Sequence, residues 1–325
     1  MALVLCSDKN LHWQSTFALL RHARHDPGRM VDLFYYTTDE VPETLQGLLK
    51  PRVTICHWTE SIHDSGYGRP DYITKAALLR IFALNDLTAR YDLVAYTDSD
   101  VFPRWGSFSD LGRVDLGDAP LAAVRDRSLW GAEPEQWVSR HYFPQLPVNT
   151  QGRYFNSGVL VANSSAWQSR GTGAEALDFL TRHPEKCHYG DQSALNAAVN
   201  GHWAELSPSW NWQANMRYDH LIPTRNPRLV HFTGPIKPWK DKLRRFDEYY
   251  FQSMRDFLLE SGLECGFVLS DCMFDASKER LRTRMLSRRC GADLMAFRES
   301  AKPYIDRTDF IDITQGVTGY GWRGQ

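Results

Sequence analysis

Two carboxylates separated by one residue, in the segment Asp98-Ser99-Asp100, directly follow an apolar run. Carboxylate oxygens are ligands that Mg²⁺ and Mn²⁺ prefer, and substrate phosphates commonly complete the coordination shell of these ions. The run LVAYT at residues 93–97 predicts a buried strand, so both acids would stand on a rigid sheet. A solvated acidic turn is the alternative, because D-x-D is a common string.

A second polar segment, HFTGPIKPW at residues 231–239, also follows an apolar run. His231 can give an imidazole nitrogen to a metal that carboxylates already hold. Gly234 permits close approach of the backbone to a phosphate, and Lys237 is a point cation that can neutralise a diphosphate. A packed turn with a hydrogen-bonded histidine and an exposed lysine is the alternative.

Two further motifs are YFNSGV at residues 154–159 and GDQSALN at residues 190–196. Asn156 and Ser157 offer hydrogen-bond donors and acceptors to sugar hydroxyls, and Gly158 indicates a close approach of the backbone. The alternatives are a β-bulge in the first motif and a simple helix cap in the second.

The elements that position these motifs alternate between strands and helices. Strands are predicted at 2–6, 31–36, 53–57, 93–97, 154–163 and 229–232, and helices at 13–25, 72–84, 174–181, 192–199 and 246–259. This alternation predicts an α/β fold with a mostly parallel sheet and helices on both faces. Ligands of such sheets bind at the carboxyl ends of strands, where the polar turns 7–10 and 98–100 both fall.

Composition excludes several classes of protein. The chain has 325 residues, 42% of them hydrophobic, and a formal net charge of −1. These values argue against a disordered, collagen-like or nucleic-acid-binding protein. Six widely spaced cysteines without a C-x-x-C pair favour a reduced cytosolic protein. No run approaches the ~20 apolar residues of a membrane helix, and residues 2–6 are too short for a signal peptide.

The character of the chain changes near residue 240. We predict a nucleotide-binding catalytic domain over 1–240 and a mainly helical extension over 241–325. Segment 278–289 carries six basic residues and one acid. It predicts either a basic amphipathic surface that rests on anionic lipid or a solvated helix face. The irregular stretch 130–153 predicts a long loop, and long loops are commonly functional.

The order of the motifs resembles glycosyltransferase family 8. The order is Asp8 and Asn10 after the first strand, then DSD, YFNSG, GDQSALN and HFTGPIKPW. Over residues 1–240, the chain is similar to these retaining enzymes, which include glycogenin and bacterial lipopolysaccharide galactosyl- and glucosyltransferases. The resemblance implies a GT-A fold, Mn²⁺ or Mg²⁺ as cofactor and a UDP-sugar as donor. It also implies a cytoplasmic protein, peripheral on the inner face of the membrane.

The resemblance also implies a role for each matching residue. The metal ligands would be Asp98, Asp100 and His231. The donor would be bound by Asp8, Asn10, Arg80, Asp98, Ser99, Asp100, Asn156, Ser157, Gly234 and Lys237. Asp191 and Gln192 would lie beside the transferred sugar and, with Lys237, would form the catalytic set.

Two positions depart from the family pattern. Leu11 stands where bacterial members often carry an aromatic residue that stacks on uracil, and His12 or Trp13 are the candidates to replace it. Ser193 stands where the family pattern has aspartate. That change predicts either altered contacts with the acceptor or only an altered helix cap.

The predicted reaction is transfer of a hexose, glucose or galactose, from UDP to a glycan or lipid-linked acceptor. Retention of configuration normally suggests a carboxylate nucleophile, but Gln192 stands where an acid is wanted. A front-face reaction, in which the leaving phosphate helps to deprotonate the acceptor hydroxyl, is therefore favoured. The alternatives are a self-glycosylating primer like glycogenin and a catalytically silent protein that binds nucleotide sugars or glycans.

Overall fold

The first half of the central sheet is parallel, as the alternation of elements predicts. In the computed structural model, β1 pairs with β2 on one side and β4 on the other, and β3 extends the sheet beyond β2. These strands are β1 (Ala2–Ser7), β2 (Asp32–Thr37), β3 (Val53–His57) and β4 (Leu93–Thr97). The helices among them are α1 (His12–His25), α2 (Glu43–Leu49) and α3 (Lys75–Thr88). The structure describes residues 1–59, 75–112, 114–131, 137–214, 225–234, 237–240, 246–263 and 299–310.

The second half of the sheet contains one strand that runs against the others. The strands are β6 (Leu121–Arg125), β7 (Phe155–Asn163) and β8 (Ala204–Glu205). β7 pairs antiparallel with both β4 and β6, and β8 is parallel to β6. The resulting seven-stranded order is β3-β2-β1-β4-β7-β6-β8. Because β7 is reversed, its first residues lie beside the last residues of β4.

A small second sheet brings the chain back to the end of β4. It consists of β5 (Val101–Pro103), β9 (Trp212–Gln213) and β10 (Leu229–His231). β10 is antiparallel to β5, and His231 pairs with Val101. The backbone N–H of Phe232 also donates to the carbonyl of Asp100 at 3.1 Å. This pairing places the histidine of the HFTGPIKPW motif next to the DSD motif.

Apolar side chains cover both faces of the central sheet. Leu3 and Leu5 of β1 pack with Phe17 of α1 in one core, whereas Val4 packs with Leu79 of α3 in the other. The strand is buried at every position, as expected of a central parallel strand with helices on both sides. The predicted mixed, mostly parallel α/β sheet is therefore confirmed.

Three more helices follow the sheet strands: α4 (Ser164–Ser169), α5 (Thr172–Arg182) and α6 (Asp191–Val199). Helix α7 (Glu248–Glu260) buries Tyr250 against Phe232 with ring centroids 5.1 Å apart. Residues 299–310 return to the same core through Tyr304, whose ring lies 5.8 Å from that of Trp130. The division of the chain near residue 240 stays a prediction.

Several predictions concern segments of which only a part is described. In the described parts of the stretch 130–153, the chain forms short 3-10 and π turns, in line with a predicted loop. The basic segment 278–289 lies outside the described residues. Among the helices that the structure describes, none combines the length and the apolar character needed to span a bilayer.

Candidate active site

The two acids of DSD and the histidine of β10 form one cluster, which we call the acid–histidine cluster (Asp98, Asp100 and His231). Its ligand atoms all lie within 4.8 Å of one another. His231 Nε2 lies 3.2 Å from Asp100 Oδ1 and 3.7 Å from Asp98 Oδ2. The structure therefore brings together the three residues that were predicted to hold a metal. Two carboxylates and one imidazole suit Mn²⁺ or Mg²⁺.

The tautomer of His231 follows from its hydrogen bonds. Nδ1 lies 3.1 Å from Asn156 Oδ1 and 3.0 Å from Asn211 Oδ1. Asn156 Oδ1 also accepts from the Gly158 backbone N–H at 3.1 Å, which identifies this atom as the amide oxygen. Nδ1 must then carry a proton, so Nε2 is the ring nitrogen that faces the two carboxylates. This is the orientation that a metal-ligating histidine requires.

Asn211 was not predicted from the sequence. It is fully buried between β8 and β9, and its side-chain amide donates to Asn156 Oδ1 at 2.9 Å. No motif includes it, and its only sequence signal is a polar residue between two tryptophans. Asn156 itself turns out to orient His231, a contact that the resemblance did not suggest.

Gly158 is required because the imidazole of His231 packs directly on its backbone. A Cβ at this position would lie 2.1 Å from His231 Cε1 and 2.5 Å from Nδ1. The carbonyl of Gly158 accepts from the Asp98 backbone N–H at 2.9 Å. The glycine thus fixes the acid and leaves room for the histidine.

Lys237 lies on the outer side of the cluster. Its ammonium contacts Asp100 Oδ2 and donates to the carbonyl of Phe232 at 2.6 Å. Burial alone would raise the pKa of Asp100, but the neighbouring charges of His231 and Lys237 hold that pKa well below its usual range. Gly234, three residues before Lys237, has φ +91°, a conformation that favours glycine.

Arg80 joins the cluster to the GDQSALN motif. Its Nη2 lies 3.0 Å from Asp98 Oδ1, and its Nε lies 2.7 Å from Asp191 Oδ2. Nη1 donates to the carbonyl and hydroxyl oxygens of Ser157 at 2.8 and 2.9 Å. The guanidinium also lies 4.6 Å from the ring centroid of Tyr96, whose hydroxyl donates to Asp98 Oδ1. Arg80 therefore fixes one oxygen of each of two carboxylates.

Asp191 begins α6 and is only 5% exposed. Burial raises its pKa to about 6, because the guanidinium of Arg80 opposes this effect only in part and the Asp98 carboxylate adds to it. Oδ2 is an ion-pair partner of Arg80 by distance, yet no hydrogen bond from the described residues is aligned with it. This oxygen is itself buried, so Arg80 is its charge partner in the interior.

Gln192 has a fixed amide orientation. Its Oε1 accepts from the backbone N–H of Ser157 at 3.0 Å and from Asn156 Nδ2 at 3.2 Å. Nε2 lies 3.3 Å from the hydroxyl of Tyr154 and 3.5 Å from Asp126 Oδ2. The predicted pair Asp191 and Gln192 thus lies beside the FNSG strand, with Asp126 and Tyr154 as partners that the motifs did not reveal.

Asp8 and Asn10 lie at the same edge of the sheet, after β1. Asp8 Oδ1 accepts from the Asn10 backbone N–H at 2.9 Å and so caps a short 3-10 turn. Asn10 is exposed, as a residue that meets a ligand must be. Their predicted contact with uridine stays a prediction.

A buried chain of hydrogen bonds connects the DSD loop with the loop after β1. It runs through Ser99, Ser15, Ser7, Tyr35, His12 and the carbonyl of Glu40. Because the carbonyl can only accept, His12 Nε2 carries the proton and each hydroxyl donates toward His12. The hydroxyl of Ser99 is used in this chain, and its predicted contact with the donor stays a prediction.

The same chain corrects one expectation about the nucleobase. His12 was a candidate for stacking on uracil, but its ring is 4% exposed and both ring nitrogens are hydrogen-bonded in the interior. It therefore does not offer a face to a base. Trp13 packs edge to face on Trp239, with ring centroids 5.8 Å apart.

Ser193, the second departure from the family pattern, is fully buried. Its hydroxyl accepts from the Tyr189 backbone N–H at 2.9 Å and from the Tyr142 hydroxyl at 2.6 Å. It thus holds the start of α6 to the irregular stretch 130–153.

Comparisons with known proteins agree with this geometry. General stress protein A of Bacillus subtilis is 28% identical over 197 residues, which cover 55% of this chain and 65% of that protein. Lipopolysaccharide 1,2-glucosyltransferase of Escherichia coli K12 is 31% identical over 178 residues, covering 51% of this chain and 49% of that protein. The chain thus matches about half to two thirds of these relatives.

Solved structures share the fold. A structure of the galactosyltransferase LgtC with donor and acceptor sugar analogues superimposes with a TM-score of 0.62 at 21% identity, over 79% of this chain and 96% of that one. This likeness confirms the GT-A type of sheet. The sequence model described as "Glycosyl transferase family 8" matches residues 32–243, which include DSD, FNSG, GDQSALN and HFTGPIK. The chain belongs to glycosyltransferase family 8.

Proposed function

We propose that this protein is a retaining glycosyltransferase that moves a hexose, glucose or galactose, from a UDP-sugar to a glycan or lipid-linked acceptor. The proposal depends above all on His231, whose Nδ1 is held by two amide oxygens so that Nε2 faces Asp98 and Asp100. A histidine held in this way beside two carboxylates is oriented as a metal ligand. Family membership supplies the reaction class.

The acid–histidine cluster fits a divalent cation. Asp98, Asp100 and His231 would hold Mn²⁺ or Mg²⁺, which supplies Lewis-acid stabilisation of charge on a leaving diphosphate. With His231 neutral, as a metal ligand must be, Asp98, Asp100 and Asp191 outnumber the cations Arg80 and Lys237 by one charge. A site with excess negative charge attracts a cation before it can accept the anionic donor.

Lys237 would contribute to the same charge stabilisation. Its ammonium lies at the cluster, two of its three N–H donors are used by Asp100 and Phe232, and its side chain is 21% exposed. A preorganised cation beside a forming phosphate charge lowers the barrier without reorganisation. Positions 231–237 would therefore bind the diphosphate from one side.

Asp191 and Gln192 would face the sugar. The acceptor oxygen forms a bond to the anomeric carbon, the bond from that carbon to the diphosphate oxygen breaks, and the acceptor proton moves to the departing phosphate. Arg80 Nε contacts Asp191 Oδ2 at 2.7 Å, which opposes use of that oxygen as a nucleophile. The Asp191 carboxylate instead stabilises positive character that develops on the sugar, which supports a front-face reaction.

The acceptor class is supported by relatives. Among these, proteins named lipopolysaccharide 1,2-glucosyltransferase and lipopolysaccharide 1,3-galactosyltransferase are 31% and 26% identical over the matched parts. We therefore place the acceptor among lipid-linked glycans, with contact to the inner membrane face through 278–289. Flotation with anionic vesicles tests that contact, and a protein that stays in the lower fraction would contradict it.

A donor screen tests the proposed function. The wild type and Asp100→Asn are incubated with Mn²⁺ and each of a set of UDP-, GDP- and ADP-sugars, and released nucleotide and product configuration are measured. Asp118→Asn is a matched control, because Asp118 is largely exposed and pairs with Arg170 on the surface. We expect Mn²⁺-dependent release of UDP that Asp100→Asn loses and Asp118→Asn keeps. Neither binding nor turnover of any nucleotide sugar, or an inverted product, would refute the proposal.

A further inference from the structure

Lys237 and the acid–histidine cluster share one carboxylate. Asp100 Oδ1 faces His231 Nε2 at 3.2 Å, and Asp100 Oδ2 contacts the Lys237 ammonium. The two side chains of the ion pair are only 17% and 21% exposed, so water screens the pair incompletely. A divalent cation bound through Asp100 would therefore meet a unit positive charge on the same group.

On the proposed function, the site binds both a divalent cation and a diphosphate, and Lys237 lies where it affects both. We propose that Lys237 makes cation binding at the cluster dependent on a diphosphate. The ammonium opposes a cation that arrives alone, because both are positive and both use Asp100. It favours a cation that arrives with a diphosphate, because the phosphate oxygens then accept from the ammonium.

The structure allows Lys237 to change partners without a change in the fold. Its backbone is followed by Pro238 and Trp239, which are buried, and Trp239 packs on Trp13. The anchored backbone leaves the four-carbon side chain as the moving part. The partners of the ammonium are Asp100 Oδ2 and the carbonyl of Phe232, both beside the cluster. A short rotation of the side chain thus exchanges Asp100 for a phosphate oxygen.

The charge balance decides the sign of each effect. With His231 neutral, Asp98, Asp100 and Asp191 are opposed by two cations in the wild type and by Arg80 alone in Lys237→Gln. Removal of the ammonium therefore makes the cluster more attractive to a bare cation. In the presence of a diphosphate, the same removal deletes a favourable contact. Lys237→Gln should therefore strengthen the binding of Mn²⁺ alone and weaken the binding of Mn²⁺ in the presence of a diphosphate.

Manganese binding without and with UDP tests this inference. Free Mn²⁺ is measured by electron paramagnetic resonance in titrations of the wild type, Lys237→Gln and Lys237→Arg, first alone and then with saturating UDP. Lys240→Gln is the matched control, because Lys240 is an exposed lysine on the next turn. Thermal unfolding checks that each variant is folded. Asp100→Asn identifies the Mn²⁺ signal that belongs to the cluster.

We expect Lys237→Gln to bind Mn²⁺ on the order of tenfold more tightly than the wild type when no nucleotide is present. With UDP, it should bind Mn²⁺ on the order of tenfold more weakly. Lys240→Gln should follow the wild type, and Lys237→Arg, which keeps the positive charge, should bind bare Mn²⁺ less tightly than Lys237→Gln. Unchanged or weaker binding of bare Mn²⁺ by folded Lys237→Gln would overturn the inference and leave the proposed function intact. Equal Mn²⁺ affinity of the wild type with and without UDP would overturn the inference alone, and absence of Mn²⁺ binding under both conditions would overturn the inference and the proposed function.

Discussion

Alanine at position 158 tests whether His231 is held where a metal ligand must be. The added Cβ would lie 2.1 Å from His231 Cε1. Carbon atoms that are not bonded keep about 3.5–4.0 Å apart, so the ring must retreat by more than about 1 Å. Metal–ligand distances tolerate changes of only about 0.2 Å, so His231 would leave the ligand set. The pairing of β7 with β4 leaves the backbone of Gly158 little freedom to move instead.

The expected effect on binding is large, and the effect on stability is moderate. Loss of a supporting contact to a metal-ligating histidine typically lowers metal affinity by about 10–100-fold. Loss of the ligand itself should reach at least that range. The crowding should lower the free energy of unfolding by about 1–3 kcal/mol, which is typical of overpacked interiors. Gly158→Ala should therefore fold but bind Mn²⁺ poorly.

The assay is Mn²⁺ binding in the presence of UDP, together with urea unfolding. Gly152→Ala is the matched control, because a Cβ at Gly152 would have no atom within 4 Å. The double variant Gly158→Ala/His231→Ala should bind Mn²⁺ as weakly as His231→Ala alone, since both changes act on one ligand. Mn²⁺ affinity of Gly158→Ala within twofold of the wild type would refute the reasoning.

Three other substitutions probe the remaining contacts. Asn211→Leu removes an acceptor from His231 Nδ1 and should lower Mn²⁺ affinity by about 10–100-fold, as measured by titration with UDP present. The pKa of Asp191, raised to about 6, means that its carboxylate is charged above that pH and neutral below it. Transfer by the wild type should therefore fall as the pH drops through about 6, and Asp191→Asn should show a lower rate without this limb in its pH–rate profile. Tyr35→Phe leaves His12 Nδ1 without its donor and should lower the free energy of unfolding by about 1–3 kcal/mol in urea.

Each of these expectations has an outcome that contradicts it. Equal Mn²⁺ affinity in Asn211→Leu would mean that Asn156 alone orients the histidine. An acid limb that persists near pH 6 in Asp191→Asn would assign the titration to another group. Tyr91→Phe is the control for Tyr35→Phe, because its hydroxyl donates to Asp32 at the surface. Equal losses of unfolding free energy in the two variants would contradict the expectation that loss of a buried hydrogen bond to His12 costs more than loss of a surface one.

The sequence predicted the elements well, because strands and helices depend on local patterns. β3 occupies the predicted residues 53–57, and α1 and α6 begin within one residue of the predicted starts. A buried strand appears in the sequence as a continuous apolar run, and acidic residues directly after such a run mark the point where the strand ends. Patterns of this kind place Asp98, Asp100 and His231 at strand ends, the resemblance to family 8 grouped them as one site, and their role as metal ligands stays a prediction.

The contacts that orient these residues were not predictable in the same way. Asn211 meets His231 only because β9 and β10 pair in the small sheet, and no motif in the sequence indicates this pairing. Ser99 belongs to the DSD motif, yet its hydroxyl bonds to Ser15 of α1 in the interior. Such partners depend on which elements meet in space. A lone polar residue carries no signal of that meeting.

Strand direction explains why motifs from distant parts of the chain form one site. DSD follows the end of β4, whereas FNSG opens β7, and these positions meet because β7 runs antiparallel to β4, with Thr97 opposite Val159. Asp126 follows β6, which is antiparallel to β7, so it reaches the same edge. In a fully parallel sheet, the start of β7 would lie at the opposite edge and Asn156 would be far from the acids. The reversed direction of β7 therefore allows Asn156, in the motif at the start of that strand, to orient His231.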